Sequence, residues 1–190
     1  VRSRRQRQMC IRDRLKYVYN PEDQSERIKI QAATYHTDGA KKTTMSAWRD
    51  LIQDINAQYD LYRNPSAIRD LAQNIPNGKD EVETLKNVIE YIDSNVKWNR
   101  FYGIIPTRSN KTLLKEKSGS TADMNLLLNE ILTAKGFETS MVMFSSRHHG
   151  QILFSYPIVN QFNSVLTVVK INNGASNIIL DASKLNKEQI

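Results

Sequence analysis

The chain has one cysteine, Cys10, and it sits in an arginine-rich stretch at the N-terminal end. That excludes an intrachain disulfide and any metal centre built on cysteine. It also leaves the body of the chain without a thiol nucleophile. Histidine is nearly as scarce: His36, His148 and His149 are all there is. Long apolar runs are missing too. Hydrophobic residues make up 39% of the 190 residues, which with Trp48 and Trp98 is enough for a core at this length. No stretch approaches the ~20 consecutive apolar residues that a membrane crossing requires. Outside the N-terminal stretch there is no low-complexity tract, and there is no internal repeat.

Charge is present but uneven. Residues 1–14 hold six arginines against Asp13, a local +5 out of a net charge of +7, which leaves +2 on the other 176 residues. A basic arm of this kind is an RNA-binding element or a targeting peptide in some proteins. Here it lacks the apolar core of a signal peptide, and the chain opens on Val1 rather than Met. Residues 1–14 are therefore read as a leader foreign to the fold, and no nucleic-acid partner is expected. The chain divides into that leader (1–14), the end of a preceding β-rich domain (15–43) and a main domain (44–190).

The apolar spacing predicts helices first and strands after. Residues 27–37 partly alternate and read as a strand ending at Asp38-Gly39, with His36 facing solvent. From Thr44 to Tyr62 the spacing of Trp48, Leu51, Ile52, Ile55 and Tyr59 is helical, with Ser46 as candidate N-cap. A short helix follows Pro65, turning Ile68, Leu71 and Ala72 inward. The cleanest amphipathic helix runs from about Asp80 to Trp98, and residues 99–117 read as a long loop. Residues 119–137 then place Met124, Leu127, Leu128, Ile131 and Leu132 on one stripe. Ser120 and Asp123 resemble a capping box, and Gly136 is a stop signal. Strands follow at Thr139–Ser145, Ser164–Ile171 and Asn177–Leu180. Helices followed by sequential strands indicate an α+β fold.

Three short motifs lie at the junctions of this pattern: Gly119-Ser120-Thr121-Ala122-Asp123, Gln161-Phe162-Asn163-Ser164 and Leu180-Asp181-Ala182-Ser183. Together with KWN at 97–99 and SSRHHG at 145–150, they resemble the transglutaminase-like superfamily, a papain-related α+β fold, over roughly residues 80–184. The resemblance is to a branch found in large bacterial proteins with an N-terminal β-sandwich, and it implies export to the periplasm. In the family a cysteine opens the central helix, a histidine begins the next core strand, and an acidic residue follows. The helix N-terminus lowers the cysteine pKa, the histidine takes its proton and the carboxylate orients the imidazole. The resemblance puts Thr121 at the nucleophile position, Ser164 at the histidine position and Asp181 at the acidic position.

A threonine hydroxyl needs a general base, and Ser164 cannot be one. The expectation is a domain without catalysis, with Thr121, Ser164 and Asp181 as relics of the triad. It would bind a peptide, a glycan or a neighbouring domain, or serve as a spacer. The alternative is an amidase or peptidase using Thr121 with altered acid–base partners. Candidate ligand-binding residues are Trp98, Tyr102, Arg147, His149 and Asn163. The aromatics have a plainer reading as core, Arg147 as a tether of its own loop and His149 as a solvated loop histidine. Adjacent histidines are poorly placed to share a metal, so no metal and no cofactor are expected.

Overall fold

In the computed structural model, residues 34–37, 40–43 and 47–184 are described. The first elements are a hairpin, β1 (Thr34–Thr37) paired antiparallel with β2 (Ala40–Thr43). The expected strand at 27–37 is thus present in its last four residues; residues 27–33, the Asp38-Gly39 turn and the Ser46 cap lie outside the described residues. Four helices and a two-residue strand come next: α1 (Trp48–Asp60), α2 (Pro65–Asn74), α3 (Glu81–Asn95), β3 (Lys97–Trp98) and α4 (Asn110–Glu116). Then follow β4 (Ser118–Gly119), α5 (Thr121–Ala134), β5 (Glu138–Phe144), a 3-10 turn at Val159–Gln161, β6 (Ser164–Ile171) and β7 (Ser176–Leu180). The architecture is α+β.

The helix starts follow from local chemistry. Asn64 and Asp80 accept hydrogen bonds from backbone N–H groups three residues on, capping α2 and α3, and Pro65 fits the first position of α2. α1 has no such cap: Ala47 precedes it. Two expectations need correction here. The amphipathic helix does not reach Trp98, because Val96 turns extended and Lys97-Trp98 pairs in parallel with Ser118-Gly119. The stretch 99–117 is not all loop either. α4 lies within it, capped by Ser109, and at seven residues it is too short to leave a periodic signature.

α5 explains the layering. Eleven of its 14 residues are buried, so it has no solvent face to spare and needs neighbours on all sides. α2, α3 and α4 pack on it from one side, and the antiparallel sheet β5-β6-β7 packs from the other. Leu126, Leu127, Leu128, Ile131 and Leu132 are fully enclosed, each contributing about 1.5–3 kcal/mol of burial. Of these, Leu127, Leu128, Ile131 and Leu132 meet Leu85, Ile89 and Ile92 of α3 and Val169 and Leu180 of the sheet in the main core. A smaller core forms where Leu51, Ile55 and Tyr59 of α1 meet Met141 and Met143 of β5 and Ile105. Ile52, which keeps the same helical spacing, is half exposed. Its position in the repeat puts it at the edge of the stripe.

Candidate functional site

The start of α5 is where the sequence motifs converge. Ser120 caps the helix: its Oγ accepts from Asp123 N (3.2 Å), and Asp123 Oδ2 accepts from Ser120 N (2.8 Å), the reciprocal pair of a capping box. Asp123 is 1% exposed. Burying a carboxylate so fully demands partners, and the loop before α4 supplies them. Asp123 Oδ1 accepts from Thr107 N (2.7 Å) and Arg108 N (3.0 Å), and Oδ2 from Thr107 Oγ1 (3.1 Å). The Arg108 guanidinium stands 3.8 Å away.

Thr121 is the first helical residue and is fully buried. Its hydroxyl accepts from Gly103 N (2.9 Å) and donates to Gly103 O (3.1 Å), while its own N–H donates to Phe101 O (3.1 Å). The loop at 101–103 therefore lies over the helix N-terminus and occupies the hydroxyl in both directions. The proton is directed at an amide carbonyl, which is no base.

One turn further, Asn125 ties the helix to the end of the sheet. Its Nδ2 donates to Thr121 O (2.9 Å) and Asp181 Oδ1 (3.4 Å), and its Oδ1 accepts from Ala182 N (3.1 Å). From β6, Thr167 Oγ1 donates to Asn125 O (3.1 Å). Asp181 follows directly on β7, and its Oδ1 is further held by Ser183 Oγ (2.6 Å) and Ser183 N (3.0 Å). The structure thus brings the Asp181 carboxylate and the Thr121 backbone carbonyl to the same amide nitrogen. Ser164, the first residue of β6 and opposite Phe144, is also fully enclosed. Its Oγ has no hydrogen-bond partner among the described residues. Asn125, Gly103, Thr107 and Thr167 were not singled out from the sequence. Their bonds here run between residues 16 to 57 positions apart, apart from the local bond to Thr121, and no local pattern announces them.

The five candidate ligand residues fall into two groups. Trp98 and Tyr102 belong to the rim of the α5 N-terminus, their rings edge to face at 5.1 Å, with Trp98 Nε1 donating to Phe101 O (3.1 Å). Lys184 Nζ lies 5.6 Å from the Tyr102 ring centre. Arg147, His149 and Asn163 belong instead to the loop after β5. Asn163 binds Ser146 twice, accepting from its N (2.8 Å) and donating to its Oγ (2.8 Å). His149 Nε2 lies 2.9 Å from Asn160 O. That loop is held by its own bonds and by Trp48 of α1, whose Nε1 donates to Phe154 O (2.8 Å), and no hydrogen bond joins His149 to Thr121. Among the described residues no three His, Cys, Asp or Glu side chains gather to hold a metal ion. An open groove of about 430 Å³ lies elsewhere, between the start of α3 and the turns at 135–138 and 170–174. It shares no residue with Thr121's surroundings.

Two titrating groups brace the helices behind the site. Burial pushes the Tyr59 hydroxyl pKa up, and that hydroxyl donates to Ile104 O (2.7 Å), fixing the loop that covers Thr121. Burial, opposed by Arg63 and reinforced by Asp60, also raises the Glu130 carboxyl above its ordinary value.

No known family's sequence pattern matches the chain, and no curated protein resembles it in sequence. Among solved structures, it superposes on the crystal structure of a "putative protease" from Parabacteroides distasonis with a TM-score of 0.63 and 15% identity. The match covers 83% of this chain and 32% of the other, so the chain spans about a third of that protein's length. At this identity the likeness is one of fold alone.

Proposed function

We propose that this chain is a non-catalytic domain of the transglutaminase-like, papain-related kind. On this reading it is part of a larger exported bacterial protein and serves to bind a polypeptide, a glycan or a neighbouring domain. The observation that carries the reading is the state of the Thr121 hydroxyl, enclosed and bonded in both directions to Gly103. A nucleophile needs a base on its proton and an open path to the acyl carbon. Thr121 has neither base nor path, and Ser164 brings no imidazole. Losing general-base assistance alone costs about 10²–10⁴ in rate. Asp181 is committed to Asn125 and Ser183, so it orients no base. The motifs at 119–123, 161–164 and 180–183 and the protease-like neighbour support the fold assignment.

The test is an assay of amide hydrolysis and of amine incorporation into glutamine peptides, run on the chain and on Thr121→Ala. Background rates are expected from both. Turnover abolished in a folded Thr121→Ala protein would establish the alternative, an amidase or peptidase working through that hydroxyl.

A further inference from the structure

Residues 97–117 hold Lys97, Arg100, Arg108, Lys111, Lys115 and Lys117 against Glu116 alone, a local +5. Removing that stretch and residues 1–14 leaves 15 of the 27 basic residues against 18 of the 20 acidic ones, a net −3. Basicity outside residues 1–14 is therefore regional. Backbone pairing brings the two ends of the stretch side by side: Lys97 N donates to Lys117 O (2.9 Å) and Asn99 N to Gly119 O (2.9 Å). Arg108 is compensated by Glu116 (2.6 Å), and Lys97 stands 3.8 Å from Asp93. Arg100, Lys111, Lys115 and Lys117 are exposed and have no carboxylate partner among the described residues. Lys111 and Lys115 are one turn apart on α4, so a short helix carries a like-charge repulsion that nothing in its own packing relieves. Two aromatic side chains stand out from the same stretch, Phe101 at 70% exposed and Tyr102 at 47%.

We infer that this rim is a docking surface for an acidic polypeptide segment: the four unpaired cations take Asp or Glu carboxylates, and Phe101 takes an apolar side chain. The inference rests on the binding role proposed above and names the chemistry of the ligand. The cations are spread over three elements, the loop after β3, α4 and its C-cap. They suit carboxylates spaced along an extended chain. Nucleobases or sugars would need open ring faces to stack on. The Tyr102 ring has Trp98 against it at a steep angle and Lys184 beside it, which leaves Phe101 as a single exposed ring, where stacking needs one ring for each successive base. The Thr121 and Asp123 N–H groups that open α5 are engaged by Phe101 O and Ser120 Oγ, and both residues are buried.

Fluorescence anisotropy of a labelled 15-residue peptide of Glu, Gly and Phe, titrated with the full chain, tests this. Saturable binding that weakens as sodium chloride rises is expected. The triple variant Lys111→Gln/Lys115→Gln/Lys117→Gln should weaken it about tenfold, at a few-fold per exposed charge, and Phe101→Ala should weaken it too. Arg49→Gln/Arg69→Gln/Lys86→Gln, which removes as much charge elsewhere, should not. Full affinity in the first triple variant overturns the inference. Equal affinity for a peptide with Gln in place of Glu overturns the acidic specificity while leaving the binding role standing. Tighter binding of oligo-dT or a polyuronate than of the Glu peptide overturns the polypeptide. Cleavage of the peptide would instead refute the non-catalytic reading.

Discussion

Asp123 shows how one side chain can be half legible. Its spacing from Ser120 announces a cap, and the cap is there. What spacing cannot announce is that the same carboxylate also gathers Thr107 and Arg108 from a loop 15–16 residues away. Hydrogen bonds to a buried charge contribute about 1.5–3 kcal/mol each. In Asp123→Asn one oxygen becomes an N–H₂ group facing donors. The expected loss is about 3 kcal/mol or more in urea unfolding, well beyond the ~1 kcal/mol of a cap alone. A loss confined to the cap's worth would mean the loop bonds contribute nothing. Thr121 and Asp181 illustrate the same limit: their motifs mark where they stand, but the sequence is silent on Gly103 and Asn125, which decide what they can do.

Element boundaries were readable where a periodic face is long and unreadable where pairing competes. α5 and β6 fall where the apolar spacing puts them, because each buries a whole face against a partner. α3 stops short of its apparent end because residues 97–98 gain strand partners from 118–119, a tertiary bond that the helical repeat hides. The two tight joints differ in tolerance. A Cβ on Gly78 would lie 2.4 Å from Glu83 Cβ and 2.6 Å from Thr84 N. On Gly119 it would lie 2.5 Å from a Leu113 methyl and 3.0 Å from Asp123 Cβ. The first neighbour includes backbone of α3 and cannot yield; the second is mainly a side-chain end. Gly78→Ala should lower the melting temperature more than Gly119→Ala. The reverse order would show that Leu113 is pinned more firmly than the start of α3.

Across the whole molecule, two cores are joined by a charge network that composition could not forecast. Arg63, just past α1, reaches Asp60 (2.7 Å) and Glu130 of α5 (2.9 Å); the second contact is an ion pair without hydrogen-bond alignment. For Glu130 burial outweighs the attraction of Arg63, so its carboxyl binds its proton more tightly folded than unfolded. The folded state then holds more protons between the two values, and stability falls as pH rises through that window. The contribution of Glu130 is complete below about pH 4.5, its ordinary value, and is lost as pH rises through the higher, folded value. Glu130→Gln keeps the shape and removes the titration. Melting temperatures of the two proteins at pH 4 and pH 7 should diverge in the variant's favour at the higher pH. If the wild-type protein gains on the variant instead as pH rises, the Arg63–Glu130 attraction exceeds the burial penalty, and the pair is a clamp between α1 and α5 rather than a cost carried by the fold.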